Sequence, residues 1–344
     1  MSYKGGELYL IGEVDLRTGE DLEFYKIGIV RDKENRSTEE RLKEHQTGNP
    51  RMLKTHWVVR TPMVEMIETT LHGRFAPWRI SGEWFHLDDP RVKTVHRTTT
   101  SLATQAAEKE TSLVVAEDLK KIVSKEAVMS PQEETSNLHK RLGALKANHS
   151  AADEGEKKLK KFFDSLHANG QDVSAYFSLI PRAGTIEFDE DDFKAQYPDL
   201  WSRYQVTKSA PDPRFTIADL SAFKKDESLL QPDLVLLLEE IDHSIQDEKS
   251  STDLDRVHGL YLEVLTFKLP LAWEVSLAEA DLKVACGDAS GIEGVCTWNR
   301  KLKETISFDK TAFKDDHPEL LEQFSSRKPD TVSTALRKDR NYRV

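Results

Sequence analysis

The sequence predicts an α+β protein: a small mixed domain, then a largely helical arm carrying a duplicated small α/β module. Three observations predict it. Over residues 1–98, short aromatic and β-branched runs alternate with segments of helical spacing. From 99 to 153, Ala, Glu and Lys dominate, with leucines and valines at helical intervals. A motif beginning at Thr185 then recurs 120 residues later. These shifts divide the chain into a mixed domain (1–98), a helical linker (99–153), a first module copy (154–217), a second helical linker (218–254) and a second copy (255–344).

Residues 7–14 and 23–30 read as two strands, because both are rich in aromatic and β-branched side chains. The polar stretch from Asp15 to Leu22, with Gly19, reads as the hairpin loop between them. Ser37 followed by Glu40 is a capping-box signature and opens a helix that stops at the turn cluster Thr47-Gly48-Asn49-Pro50. A third strand spans roughly Leu53 to Arg60. Pro62 suits the first turn of a second helix with Ile67 and Leu71 on one face. Residues 79–87 close the unit as a strand or turn, giving a β-β-α-β-α-β order. Beyond Thr98 a helical hairpin broken at Pro131 is expected.

The duplication is read from Thr185-Ile186-Glu187-Phe188-Asp189, Phe193-Lys194, Pro198-Asp199-Leu200 and Tyr204. These recur as Thr305-Ile306-Ser307-Phe308-Asp309, Phe313-Lys314, Pro318-Glu319-Leu320 and Phe324. Each copy predicts a strand, an Asp N-cap and a helix with Phe and Leu on one face. A short strand is expected to close each copy, at 214–217 in the first and 341–344 in the second.

Composition bounds the function. The net charge is −11, which argues against a nucleic-acid binder held by bulk positive charge. Residues 1–98 hold 16 basic and 16 acidic side chains, so the whole excess of acid lies in the remainder. No apolar run reaches the roughly 20 residues of a membrane span, and Met1 to Gly6 does not read as a signal peptide. Two cysteines, Cys286 and Cys296, are too few for a disulfide framework or a cysteine zinc site. A reducing cytoplasm is the expected location.

Several short motifs carry a resemblance. Leu8-Tyr9-Leu10-Ile11 resembles the GIY strand of the GIY-YIG endonucleases, and Lys26-Ile27-Gly28 their YIG strand, with Lys26 in place of the second tyrosine. Arg41-Leu42-Lys43-Glu44-His45 resembles the family's arginine helix. Glu68-Thr69-Thr70-Leu71-His72 resembles the helix with its single metal-binding glutamate. Gln46-Thr47-Gly48-Asn49-Pro50 and Gly82-Glu83-Trp84-Phe85 resemble a phage-associated branch of the superfamily. The resemblance covers about residues 6–90 and implies a central, mostly antiparallel sheet flanked by helices. Gly291 to Val295, Thr297-Trp298, the segment 306–324 and the Arg-x-Tyr-Arg-Val ending resemble the appendage that follows the nuclease domain in some phage YqaJ-type exonucleases.

The resemblance implies a metal-dependent hydrolase of DNA phosphodiester bonds. Glu68 would hold one Mg²⁺, with Mn²⁺ as a substitute, and Arg41 would present a planar fork to the phosphate. Tyr9 would take the proton of the attacking water, and Lys26 would lower the tyrosine's pKa or contact phosphate. His45, one helical turn after Arg41, would move a proton or touch the leaving group. Tyr25, Lys26, Arg41, Arg51 and His72 are the expected DNA contacts, and double-stranded DNA is the expected partner. One metal makes one nick, so homo-oligomerisation through the helical arm is expected. The alternative is a DNA-binding or adaptor module whose site no longer cuts, which Lys26 and the acidic arm favour. Taken singly, each of these residues reads as an ordinary packing or surface side chain, and the ordered set carries the inference.

Overall fold

The computed structural model describes residues 4–246 and 253–340. The first unit contains β1 (Gly6–Val14), β2 (Asp21–Arg31), α1 (Thr38–Thr47), β3 (Met52–Thr61), α2 (Val64–Arg74), β4 (Arg79–Ser81), β5 (Trp84–His86) and α3 (Asp89–Leu119). Its five strands form an antiparallel sheet in the order β3-β1-β2-β5-β4. Strand alternation sends Leu8, Leu10, Ile27 and Ile29 to one face, where α2 and α3 cover them. Tyr9, Ile11 and Val30 go to the other face, against Leu42 of α1. The predicted capping box is present: Glu40 N–H donates to the Ser37 hydroxyl and Ser37 N–H to the Glu40 carboxylate. Pro62 lies before α2 rather than inside its first turn.

No break falls at residue 98. Helix α3 runs unbroken through the polar Thr98–Ser101 stretch. Buried Val95, Leu102 and Ala106 anchor it to the first core, and Thr99 turns its hydroxyl onto the Val95 carbonyl. The expected interruption near Pro131 is real. A short β6 (Val128–Met129) separates α3 from the long α4 (Glu133–Ala168).

The rest of the chain contains β7 (Phe177–Arg182), β8 (Ile186–Phe188), α5 (Glu190–Gln196), α6 (Pro198–Arg203), β9 (Gln205–Ile217), α7 (Leu220–Lys225), α8 (Pro232–Gln246) and α9 (Leu254–Cys286). These are followed by β10 (Gly291–Ile292), β11 (Cys296–Phe308), α10 (Lys310–Asp316), α11 (Pro318–Gln323), β12 (Ser325–Arg327) and β13 (Thr331–Leu336). Helices α4 and α9 pack side by side as the spine of the arm. Helix α9 also joins the first core: Trp273 is buried there, and Gly73 of α2 lies so close to Leu265 and Leu269 that a methyl group would collide. Among the described residues, no helix is long and apolar enough to cross a membrane.

The two copies do not close on themselves; they exchange strands. The first copy's last strand, β9, pairs antiparallel with the second copy's first strand, β11. The first copy's β7 and β8 pair with β13 and β12 of the second. Shifting each residue by one repeat turns one ladder into the other. Phe308↔Gln205 becomes Phe188↔Ser325, and Thr297↔Thr216 becomes Phe177↔Leu336. A pseudo-two-fold axis therefore relates the copies. At that axis Phe188 stacks on Phe308 at 5.5 Å, and Phe193 meets Phe313 edge-on at 4.9 Å. Asp189 N–H donates to the Phe324 carbonyl, and Asp309 N–H to the Tyr204 carbonyl, each at 2.8 Å.

The expected strand at 214–217 is thus the end of β9 and serves the other copy. The second expected strand, 341–344, lies outside the described residues. Two β-ribbons connect this aromatic cap to the helical spine. One is rooted through Phe177 and Leu336 beside Phe163 and Tyr261, the other through Ile217 and Trp298 beside Leu142 and Leu282.

Candidate active site

The site forms where the sheet runs out of neighbours. Strand β5 pairs with β2 only from Phe24 to Lys26, and Ile27 N–H closes the contact on the Glu83 carbonyl at 3.2 Å. Past Ile27 the outer edge of β2 has no strand beside it among the described residues, and side chains from both faces of the sheet meet there. Tyr9 sits opposite Gly28 in the β1–β2 ladder. A side chain on Gly28 would strike the Tyr9 ring and hydroxyl, so glycine here creates the seat of the phenol.

Helix α1 brings Arg41 and His45 to that phenol. The Tyr9 hydroxyl and His45 Nε2 are 3.3 Å apart, and Arg41 lies against the same hydroxyl. Arg41 is held by Glu44 at 2.6 Å, and its buried Nε–H has no partner among the described residues. From the other face, α2 presents Glu68, β4 presents Arg79 and the β4–β5 turn presents Glu83.

The electrostatics follow from burial. Burial, with the Glu83 charge adding to it, pushes the Glu68 carboxyl up to about 7 against the pull of Arg31, Lys26 and Arg79. Burial also raises the Tyr9 phenol to about 12, and Arg41 only partly offsets this. Burial and the cations Lys26 and Arg41 lower His45, leaving it neutral at pH 7. His72 is driven to about 4 by burial and Arg79.

These placements correct several sequence expectations. Tyr9 is a phenol held against ionisation, because burial and the nearby carboxylates outweigh Arg41; it is not the base by itself. Lys26 is not free for phosphate, since its ammonium is buried in an ion pair with Glu83 at 2.5 Å. Tyr25 points away from Lys26 by strand alternation and is buried against His56. His72 is anchored by a 3.0 Å hydrogen bond from its Nε2 to the Ile27 carbonyl and by the Phe85 ring, which makes it a brace for β2. Arg51 pairs with Glu13 and lies over Phe24, away from the Tyr9 cluster.

The sequence reading missed Arg79 and the reach of Glu83 into the site. It also missed the tie from the arm. Gly82 N–H donates to the Asp339 carboxylate at 3.2 Å, and Arg340 N–H to the Arg79 carbonyl at 2.9 Å. The arm therefore grips the turn that supplies Glu83. No local pattern in the sequence marks that contact.

Among the described residues, no cluster of three or more His, Cys, Asp or Glu side chains is arranged to hold a metal. The donor set is one carboxylate, Glu68, with Glu83 facing it.

A family model described as the T5orf172 domain matches residues 8–101, about a quarter of the chain. That domain is found in nuclease-related proteins of phages and bacteria. No curated protein and no solved structure matches the chain.

Proposed function

We propose that this protein is a metal-dependent DNA endonuclease of GIY-YIG type, acting in phage or anti-phage DNA metabolism. The observation that carries the reading is the meeting of Tyr9, Arg41 and His45 with Glu68 and Glu83 at the unpaired edge of β2. The T5orf172 match over the same residues supports it.

Arg41 offers its unpartnered Nε–H and a fixed positive charge to a phosphate oxygen. The Tyr9 phenol positions the attacking water. As the water yields its proton to the phenol oxygen, the phenol passes its own to His45 Nε2, so tyrosinate need not accumulate. Neutral His45 is suited to receive it.

Glu68 is suited to a divalent cation such as Mg²⁺ or Mn²⁺. Its charge is resisted by Glu83, and a cation would relieve that repulsion. With so few protein donors, water and phosphate oxygens would complete the shell. When bound, the ion supplies positive charge at the scissile phosphate. A single such site makes one nick, and a double-strand break requires a second copy or a second encounter.

Plasmid cleavage tests the proposal. Supercoiled DNA is incubated with Mg²⁺, Mn²⁺ or EDTA, with wild type and Glu68→Gln in parallel. The expected outcome is nicking that needs the metal and falls about 10³-fold in the variant. Equal cutting by both proteins would overturn it. Duplex binding without any metal-dependent product favours the second reading, a non-cleaving DNA-binding adaptor, whose specific support is the Lys26–Glu83 ion pair inside the site.

A further inference from the structure

The duplication supplies an internal control on surface charge. The β9/β11 ribbon is two-stranded from Trp298 and Phe215 outward, and most of its length is exposed. Its register places Lys208 beside Thr305, Ala210 beside Lys303, Asp212 beside Lys301 and Arg214 beside Asn299, so four cations share one face. Asp212 is the only acid among them, and it pairs with Arg214. Lys208, Lys301 and Lys303 have no carboxylate partner among the described residues, in a chain of net charge −11.

The pseudo-symmetry then asks whether such a face is needed to build a ribbon. In the sister ribbon the positions equivalent to Lys301 and Lys303 are Pro181 and Ala183, and Arg214 is replaced by Thr334. Lys208 is matched by Lys328, but Glu187 neutralises it at 2.7 Å. The same fold forms without the free charges, so they are not a structural requirement of the ribbon.

Unpaired lysines at alternate positions, interleaved with Asn299 and Thr305 as hydrogen-bond donors, suit a polyanion. A two-stranded ribbon also fits the roughly 12 Å major groove. From Lys208 to Arg214 the face spans about 20 Å. We infer that the Lys208–Lys301–Lys303 face of the β9/β11 ribbon is a second duplex-DNA contact, remote from the cutting site. This rests on the reading of the protein as DNA-directed. It gives the arm a DNA-holding role even though the arm carries the excess of negative charge.

The test is a salt titration of binding to a duplex of three helical turns, in EDTA so that no cutting occurs. Lys208→Ala/Lys301→Ala/Lys303→Ala is compared with wild type. A control triple, Lys121→Ala/Lys157→Ala/Lys310→Ala, removes three exposed lysines that are already paired with carboxylates. Three lost phosphate contacts lower the log–log salt slope by about 2.7, so between 50 and 200 mM salt wild type loses about 40-fold more affinity than the ribbon variant. Arg at the same three positions restores the slope, and the control triple matches wild type.

Equal slopes for wild type and the ribbon variant would overturn the inference. So would an equal loss in the control, or a defect confined to binding of anionic phospholipid vesicles. If Glu68→Gln still cuts while the ribbon variant loses its slope, the nuclease proposal falls and the ribbon contact stands. If cutting depends on Glu68 and the slopes agree, the ribbon contact falls alone.

Discussion

The sheet edge around Tyr9 and the aromatic cap around Phe313 are both buried, but by different means. The cap is nearly all carbon. Phe188, Phe193, Phe308, Phe313 and Phe324 fill it, and its charges, such as the Glu190–Lys310 pair at 2.8 Å, stay near the surface. The sheet edge instead gathers two carboxylates, three cations, two histidines and a phenol where solvation is poor, and several titrate far from their usual range. Ionisable groups buried at an energetic cost mark the sheet edge as a candidate site, whereas the cap is held mainly by aromatic packing.

Three substitutions sharpen or break that comparison. Phe313→Ala removes a fully buried ring at the pseudo-axis and is expected to destabilise the cap by about 3–5 kcal/mol. Hydrogen exchange would show faster exchange at α10 and α11 amides and unchanged protection in α2. Loss of protection in α2 as well would mean that the two regions fold as one and the contrast is mistaken.

Glu68→Gln is expected to stabilise the protein. The folded carboxyl holds its proton up to about pH 7, whereas its ordinary value is 4.5, so the charged form burdens only the folded state. Above pH 7 the burden is complete. It fades as pH falls through 7 toward 4.5. The variant should therefore exceed wild type by about 3 kcal/mol at pH 8, with the gap closing near pH 4.5. Denaturant midpoints at the two pH values measure this, and a variant weaker than wild type at pH 8 would contradict it.

The smallest effect belongs to Ser37→Ala. Losing the cap of α1 costs about 1 kcal/mol and a few degrees in the thermal midpoint. On the proposed function the pH dependence of cutting should not move, because the lost hydroxyl bonds only the Glu40 N–H, and the Arg41 N–H keeps its bond to the residue 37 carbonyl.

What the sequence disclosed was mostly local. The capping box of Ser37 and Glu40, the alternating strands and the turn at Gly48 and Asn49 are written in neighbouring residues, and they were legible. The repeat was legible because it is collinear. The exchange of strands between copies was not, because each copy has the same hydrophobic pattern whichever partner completes it. Tyr9, Arg41, His45 and Glu68, singled out from the sequence, lie near one another in the structure. The Lys26–Glu83 pair and the burial of the Tyr9 phenol were not legible, because both depend on contacts that a run of letters does not reveal. Arg79 and the grip of Asp339 on Gly82 depend on residues more than 250 positions apart.

The strand exchange has a consequence for synthesis. Phe177 finds its ladder partner only at Leu336, about 160 residues later, and β9 must wait for β11. While the ribosome is still making the second copy, the first offers bare strand edges with Leu179, Ile180 and Ile186 exposed along them. A nascent or prematurely released chain in that state can also be completed by another molecule's second copy when neighbours are concentrated enough to compete with its own. Correct assembly then becomes a contest between the rate of elongation and the concentration of neighbouring chains.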